Sequence, residues 1–331
     1  MYLIGAILPH TKLFGGVKRF FELGEIFIRR GHKMIILTPD GTAPEWFSFS
    51  GTVDKISNIR NYDFTALFLT EPQFLQPLLF AKARVKIFYH VGSAKLRDVL
   101  KHKQVKVFVN STNMYEYDLK HYRIKAVKAV GGVHLPQQVK DLSQPDQIFT
   151  VMCYGRLNRK RKGTRIVVKA VEKLHKNGYI VKLLLFDTPI DEKGKKLAEQ
   201  FKCKAPFEFV LNHPVEKNIE LFRRASVFVS AERKGGWANN AAEALATGVP
   251  LVATQTGTKD FLIHNETGLK VIRHSFFIQK ALEKLYNDVE LRKRLAENGR
   301  KKIEAFSWDA LTDRLLYLIN QYLREQETER K

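Results

Sequence analysis

Positively charged side chains are concentrated in one short loop in the second half of the sequence. The apolar run FTVMCY (Phe149–Tyr154) predicts a buried strand, and the spacing of apolar residues in Thr164–Lys176 predicts a helix. Between these elements lie the basic residues Arg156, Arg159, Lys160, Arg161 and Lys162. An arginine fork and a lysine point charge beside a helix N-terminus suit a diphosphate group. A solvated basic loop and a nucleic-acid contact are the alternatives.

A second pattern that suits an anion lies further along the chain. The predicted strand Val227–Ser230 runs into a glycine turn, Lys234–Trp237, and then into a predicted helix, Ala238–Thr247. Free backbone N–H groups at such a helix start can bind phosphate, and glycine allows close approach. Glu243 is a carboxylate in the apolar helical run AAEALA, where a charge is costly unless it is hydrogen-bonded. The alternative is a glutamate that faces solvent.

Two weaker signals lie in the first half. His90 directly follows a predicted strand, at the end of which ligands bind in parallel sheets, although a lone histidine is more often structural. Gly15 and Gly16 precede the first predicted helix, where they could admit a phosphate or simply form a tight turn.

Short apolar runs alternate with helical patterns through both halves of the chain, which is typical of parallel sheets buried on both faces. The fold class predicted is α/β, with two Rossmann-like doubly wound domains that face each other across a deep cleft. The predicted strands are Tyr2–Leu8, Lys33–Thr38, Ala66–Leu69, Val85–Tyr89, Val105–Val109, Phe149–Tyr154, Val181–Phe186, Phe207–Val210, Val227–Ser230 and Leu251–Thr254. Predicted helices include Gly16–Arg30, Thr164–Lys176, Ala238–Thr247, a late helix around Ile278–Leu285, and Trp308–Arg324.

The composition fits a globular protein with a strong positive charge. The 331 residues are 44% hydrophobic and 27% charged, and 56 Lys and Arg against 34 Asp and Glu give a net charge of +22. Such a charge attracts nucleotides, nucleic acid or anionic lipid headgroups. Two cysteines predict neither a disulfide framework nor a metal site, and a cytosolic setting is expected. No apolar run is long enough to span a bilayer, and the first residues predict a strand, not a signal peptide.

Taken in order, these motifs resemble the retaining glycosyltransferases of family four, glycosyl transferases of group 1 with the GT-B fold. The resemblance rests on FGGVKRFFELGEIFIRRGHKMIILTPDG, CYGRLNRKRKG, WANNAAEALATGVPLVATQTGTKDF and the closing FSW. It implies an acceptor-binding domain over residues 1–146 and a nucleotide-sugar-binding domain over residues 147–305. Residues 306–331 are expected to form a C-terminal helix that packs back on the first domain.

The resemblance also implies roles for the residues that match. Arg156 and Lys162 are expected to hold the donor diphosphate, and Glu243 is expected to accept hydrogen bonds from the nucleotide ribose. Backbone groups that donate to the phosphate are expected at Gly236, Trp237 and Ala238.

In the first domain, Gly15 and Gly16 are expected to lie against the phosphate and the donor sugar, and His90 near the reacting carbon. The resemblance therefore implies His90, Arg156 and Lys162 as catalytic residues. No metal or other cofactor is expected, because the cations and amides would neutralise the diphosphate.

One position departs from the family pattern. The family has a second glutamate eight positions before the ribose-binding one, where it contacts the donor sugar, and this chain has Gly235 there. The sugar contact could pass to Glu232 through a rebuilt turn, or to Asn239 or Asn240, or activity could be lost. We favour the rebuilt turn because Glu243 and both diphosphate cations remain.

The expected function is therefore transfer of a hexose, with retention of configuration, from a UDP- or GDP-linked sugar to a hydroxyl acceptor. A lipid-linked or envelope-polysaccharide acceptor is expected, with the protein in the cytoplasm or on the inner face of an anionic membrane. A sugar-nucleotide epimerase on the same fold is one alternative, but no convincing acid and base pair is found for it. A nucleic-acid-binding protein is another, but the basic loop lacks interleaved aromatic residues, so no nucleic-acid partner is expected.

Overall fold

The protein forms two compact units. The computed structural model describes residues 1–92, 94–142, 147–214 and 217–329. One unit combines Met1–Gly132 with Phe306–Lys331, and the other consists of Val133–Ala305. The first unit is thus built from two separate stretches of chain, and the second from one.

Each unit contains a parallel sheet. Within the described residues, the first sheet has the strand order β3-β2-β1-β4-β5-β6-β7 and the second β10-β9-β8-β11-β12-β13. The strands of the first sheet are β1 Leu3–Ile7, β2 Lys33–Thr38, β3 Thr52–Lys55, β4 Asp63–Leu69, β5 Lys82–His90, β6 Val105–Val109 and β7 Val127–Lys128. Those of the second are β8 Phe149–Tyr154, β9 Val181–Asp187, β10 Phe207–Leu211, β11 Val227–Ser230, β12 Leu251–Ala253 and β13 Leu269–Lys270.

Helices connect the parallel strands, as crossovers in such sheets require. The helices between strands are α1 Gly15–Arg29, α2 Leu75–Phe80, α3 Thr112–Tyr122, α4 Thr164–Lys176, α5 Glu192–Glu199, α6 Asn218–Arg223 and α7 Asn239–Ala246. Three more helices follow the last strand: α8 Ser275–Asn287, α9 Val289–Glu304 and α10 Trp308–Glu329. The central strands are almost wholly buried: Val151 and Leu183, in neighbouring strands of the second sheet, are both 0% exposed. Burial on both faces explains why these strands could be predicted from continuous apolar runs.

The last helix packs in the first unit, as the sequence predicts. Leu311, Leu315 and Ile319 of α10 are buried in the same core as Phe20 of α1 and Tyr89 of β5. The apolar face seen in the sequence is therefore the face that α10 buries.

The apolar patterns of the sequence do not predict the short strands at the edges of the sheets. Strands β3, β7 and β13 have four, two and two residues and lie at the edges of their sheets. Strands this short carry too few apolar residues to form a recognisable run. Helix α9 was also missed, because its polar residues outnumber the buried Leu291, Leu295 and Ile303.

The two units meet in sequence at Gly132 and Val133, whereas the sequence placed the domain boundary after residue 146. Residues 143–146 lie outside the described residues. The preceding segment belongs to the second unit, since the Lys140 N–H donates to the carbonyl oxygen of Thr247 at 2.8 Å.

Candidate active site

Two loops of the second unit meet where the order of its strands reverses. β8 and β11 are neighbours, with Val151 paired to Val227, although the chain forms β9 and β10 between them. Residues 155–163 follow β8 and residues 231–238 follow β11. Open α/β sheets bind ligands beyond the carboxyl ends of their strands at such a reversal. The two anion-binding patterns of the sequence therefore lie side by side.

The backbones of these loops are in direct contact. The Arg233 N–H donates to the carbonyl oxygen of Arg161 at 2.9 Å. Gly163 has a φ of +78°, and a Cβ atom there would lie 2.2 Å from the carbonyl oxygen of Ala231. Only glycine fits this position, because both its conformation and its clearance exclude a side chain.

Arg273, which the sequence did not single out, links the same loops from outside. Its Nε donates to the carbonyl oxygen of Ala231 at 2.8 Å, and its Nη2 donates to that of Lys160 at 2.7 Å. One guanidinium thus fixes the spacing of the two loops. An arginine directly after an exposed isoleucine, Ile272, gave no signal of this role.

Lys162 pairs with Glu232 across the two loops. The Lys162 Nζ lies 2.7 Å from the Glu232 Oε1, and the two side chains are 25% and 12% exposed. The ammonium also lies over the ring of Tyr154, 5.5 Å from its centroid. The residue that Glu232 contacts is therefore the expected diphosphate ligand.

Gly235 provides room for this carboxylate. A Cβ atom at Gly235 would lie 3.2 Å from the Glu232 Oε2. Asn240, at the start of α7, lines the same small cavity as Tyr154, Lys162 and Glu232. Asn239 is half-buried beside it in sequence and is not among the lining residues of that cavity. Contact of these residues with a donor sugar stays a prediction.

Arg156 is held by other residues of the second unit. Its Nε donates to both carboxylate oxygens of Asp187, at 2.8 and 3.0 Å, and its Nη2 donates to the carbonyl oxygen of Thr188 at 2.8 Å. The guanidinium lies over the Tyr154 ring at 5.2 Å. Among the described residues, none accepts a hydrogen bond from its Nη1. A diphosphate contact through that nitrogen stays a prediction.

The glycine turn before α7 is tied to the rest of the unit, and the backbone N–H of one expected phosphate donor, Ala238, already has an acceptor. The Ala238 N–H donates to the carbonyl oxygen of Gly257 at 3.0 Å. The Trp237 side chain is 8% exposed and packs edge-on against Phe261, with the ring centroids 4.9 Å apart. Trp237 is therefore a core residue by its side chain. Phosphate binding by the backbone of Gly236 and Trp237 stays a prediction.

Glu243 lies on the buried helix α7 of the same unit. Its side chain is half-buried, whereas Ala242 and Ala244 on either side are 0% exposed. The carboxylate is thus partly withdrawn from water, contrary to the solvent-facing alternative. Its contact with a ribose stays a prediction.

His90 ends β5 in the first unit and is fully buried. Its Nδ1 lies 2.9 and 3.1 Å from the two carboxylate oxygens of Asp118, which is also 0% exposed. A carboxylate only accepts, so Nδ1 carries the hydrogen and donates. The Nε2 is buried and has no hydrogen-bond partner in the described part of the chain. The ring is held in one orientation, with Nε2 remaining for another group.

Gly15 and Gly16 form the first residues of α1, close to the end of β5. A Cβ atom at Gly16 would lie 3.2 Å from the Cγ2 of Val91, the residue after His90. The structure thus brings Gly16 close to the end of β5, where His90 lies, at the carboxyl ends of the strands of the first sheet.

Two carboxylates near His90 were missed in the sequence. Asp118 follows the buried Met114 by four residues on α3, so a charge on the buried face of a helix was the available signal. Glu71 lies just beyond the end of β4, and burial raises the pKa of its carboxyl group while the nearby His90 opposes that rise. Within the described residues, no group of three or more His, Cys, Asp or Glu side chains is placed to hold a metal ion. Metal independence stays a prediction.

Residues 136–302 match the family model described as "Glycosyl transferases group 1". The chain belongs to this family. The match covers both loops of the second unit together with Lys162, Glu232 and Glu243, so the family assignment and the site coincide.

A curated relative and two solved structures extend this comparison. The capsular polysaccharide biosynthesis glycosyltransferase CapM of Staphylococcus aureus is 31% identical over 183 residues, 54% of this chain and 48% of the relative. The chain spans about half the length of the curated relatives it matches.

The solved structures match nearly the whole chain. A glycosyltransferase from Rickettsia africae is 18% identical, with a TM-score of 0.77 and coverage of 97% of this chain and 98% of that one. The HepE protein of Anabaena in complex with UDP-glucose is 12% identical, with a TM-score of 0.76 and coverage of 97% and 100%. Together with the two parallel sheets, these matches identify the GT-B fold.

Proposed function

We propose that this protein is a retaining glycosyltransferase that moves a hexose from a nucleoside diphosphate sugar to a hydroxyl acceptor without a metal ion. The observation that carries the proposal is the meeting of the Lys162 loop and the Glu232 loop at the strand reversal of the second sheet. Both lie inside the region that matches the group 1 family. A partly buried ammonium at the carboxyl ends of the strands of a parallel sheet is suited to a phosphate ligand.

The reaction breaks the bond between the anomeric carbon and the diphosphate oxygen. The acceptor hydroxyl forms a new bond to the anomeric carbon on the same face, and its proton passes to the departing diphosphate. Lys162 acts on the charge that develops on the leaving oxygen, and such electrostatic stabilisation is commonly the largest catalytic contribution. Glu243 holds the ribose, so that the leaving group stays in place during the transfer.

We assign His90 to the reacting sugar. Asp118 fixes the hydrogen on Nδ1, so in the neutral ring Nε2 is an acceptor for a sugar hydroxyl. The Asp118 carboxylate orients the ring for this contact through its hydrogen bond with Nδ1.

The proposed donor is a UDP-linked sugar, with a GDP-linked sugar as the other candidate. Support comes from HepE, which has the same fold and was solved with UDP-glucose. The proposed acceptor is a lipid-linked or envelope-polysaccharide hydroxyl. Support for it comes from CapM, whose name places it in capsular polysaccharide biosynthesis.

Peripheral contact with the cytoplasmic face of an anionic membrane completes the proposal. In the described part of the chain, no helix is both long and apolar enough to cross a bilayer. The net charge of +22 favours anionic headgroups. Ile272, Phe276 and Phe277 are 65, 46 and 42% exposed, and exposed apolar side chains of this kind suit a membrane surface. Lys280 lies over the Phe276 ring and is paired with Glu283.

Nucleotide-dependent stabilisation and product formation test the function together. The melting temperature of the protein is measured with UDP-glucose, GDP-mannose and ADP-glucose, because only a ligand that prefers the native state raises it. The stabilising donor is then incubated with the protein and a lipid-linked sugar acceptor, and the release of nucleoside diphosphate is followed.

We expect one nucleotide family to stabilise the protein and its donor to be consumed, with the anomeric configuration of the product unchanged by NMR. Chelation of divalent metals should leave the rate unchanged. A folded protein that binds none of the nucleotides would overturn the proposal, and an inverted product would overturn its stereochemistry.

A further inference from the structure

The Lys162–Glu232 pair is built into the second unit and is not a chance surface contact. On one side of the glutamate side chain, the Glu232 carbonyl oxygen accepts a hydrogen bond from the Thr254 hydroxyl at 2.7 Å. On the other side, the Arg233 N–H is held by the Arg161 carbonyl oxygen. These backbone contacts fix the direction of Glu232, and its side chain is only 12% exposed.

The pair also concerns the same ammonium that the proposed function assigns to the donor diphosphate. A lysine ammonium is a compact charge with three donors, and the Glu232 Oε1 takes one of them at 2.7 Å. A diphosphate at Lys162 would bring a second anion next to a poorly solvated carboxylate. Like charges at such a distance repel, and screening by solvent is weak where the groups are mostly buried.

We propose that Glu232 competes with the diphosphate for Lys162 and thereby weakens the binding of the nucleoside diphosphate product more than that of the nucleotide sugar. This inference rests on the proposed function. The product ends in a phosphate with a second ionisation near neutral pH, whereas the diphosphate of the donor is esterified at both ends and lacks that charge. Glu232 therefore disfavours the more highly charged ligand and speeds its release after transfer.

The position of Glu232 is a difference between this chain and the family pattern. The family pattern has glutamate at the position of Gly235, whereas here the acid lies three residues earlier and its carboxylate occupies the space beside Gly235. Glu232 is thus a positioning residue for Lys162. Its carboxylate contacts the ammonium that is expected to bind the diphosphate.

The test compares product and donor affinities in two matched variants. Dissociation constants of UDP and UDP-glucose, or of GDP and GDP-mannose if the wild type prefers guanine, are measured by calorimetry for the wild type, Glu232→Gln and Glu208→Gln. Glu208 forms a similar ion pair with Lys182, 2.7 Å apart, near the amino end of β9 and away from the site. Melting temperatures confirm that each variant is folded, and Glu232→Ala provides a second substitution at the same position.

We expect Glu232→Gln to tighten the nucleoside diphosphate by about tenfold and the nucleotide sugar by clearly less, as removal of one close like charge implies. Glu208→Gln should leave both affinities unchanged. Unchanged or weaker binding of the nucleoside diphosphate in both Glu232 variants, or equal tightening of the two ligands, would overturn the inference. A wild type that binds neither ligand would instead refute the proposed function itself.

Discussion

Lys162 is the residue through which the second unit is expected to contact phosphate. Replacing it with alanine should weaken nucleoside diphosphate binding by about 10- to 100-fold, the usual range for a lost charge-assisted hydrogen bond. The loss is enlarged because Glu232 then remains without its cation. Calorimetry with UDP measures the change.

Lys169→Ala is the matched control for this substitution. Lys169 is exposed on α4, directly downstream of the same loop, and carries the same charge. Equal losses in the two variants would show that only the general positive field attracts the nucleotide, and would remove Lys162 from the site.

Glu243 can be separated from the phosphate-binding residues by the choice of ligand. Glu243→Ala should weaken UDP binding by about tenfold, because a hydrogen bond to a charged acceptor is lost, and leave inorganic diphosphate binding unchanged. Alanine suits the helix α7, so the fold should persist. Competition of UDP and inorganic diphosphate for the same site measures both affinities, and parallel losses for the two ligands would contradict a ribose contact.

Asp118 should matter for turnover more than for donor binding. Asp118→Asn can donate to His90 as well as accept from it, so the ring is no longer confined to the tautomer with hydrogen on Nδ1. We expect kcat to fall about tenfold or more, as for other residues that orient a functional histidine. Donor affinity by calorimetry should stay within about twofold, because binding and turnover are separate quantities. A fall in donor affinity with unchanged kcat would point to a purely structural role.

At the scale of elements, the contact between the two loops depends on Gly163. Gly163→Ala would force a Cβ atom to within 2.2 Å of the Ala231 carbonyl oxygen at a φ of +78°. The expected cost is about 3 kcal/mol in the free energy of unfolding, from the left-handed backbone and the overlap together. Chemical denaturation measures it, and nucleotide binding should weaken as the loops move apart.

Gly178→Ala separates the two contributions. Gly178 has a similar φ of +86°, but a Cβ atom there would have no neighbour within 4 Å. Its replacement should cost only about 1 kcal/mol, the contribution of the backbone conformation alone. Equal costs at the two glycines would mean that the loops can separate freely.

Elements that bury an apolar run could be predicted from the sequence, and contacts between distant loops could not. The apolar patterns and the glycines at their ends predict the strands β8 and β11 and the helices α4 and α7. The pair of Lys162 with Glu232 joins residues 70 positions apart and depends on the order of strands in the sheet. The same holds for His90 and Asp118, 28 positions apart. The contact of Arg156 with Asp187, 31 positions away, could not be predicted from the sequence for the same reason.

At the scale of the whole molecule, charge is the property with a measurable outcome. With a net charge of +22, the protein should bind vesicles that contain phosphatidylglycerol at low salt and dissociate as salt screens the attraction. Binding to vesicles of phosphatidylcholine alone should be at least about tenfold weaker, because each basic residue near an anionic surface contributes to the attraction. Sedimentation of vesicles at several salt concentrations measures both. Equal binding to the two kinds of vesicle would exclude an electrostatic membrane contact.

The first unit is built from two separate stretches of chain, and this affects how it can fold during translation. Its core needs Leu311, Leu315 and Ile319 of α10, whereas residues 133–305 form the second unit without interruption. During translation the second unit can therefore complete its core first, although it comes later in the chain. Most of the first unit is synthesised early, but the apolar face that α10 covers stays exposed until α10 has been synthesised. During that interval the exposed apolar surface can bind molecular chaperones. If translation stalled near residue 305, the core of the first unit would stay incomplete.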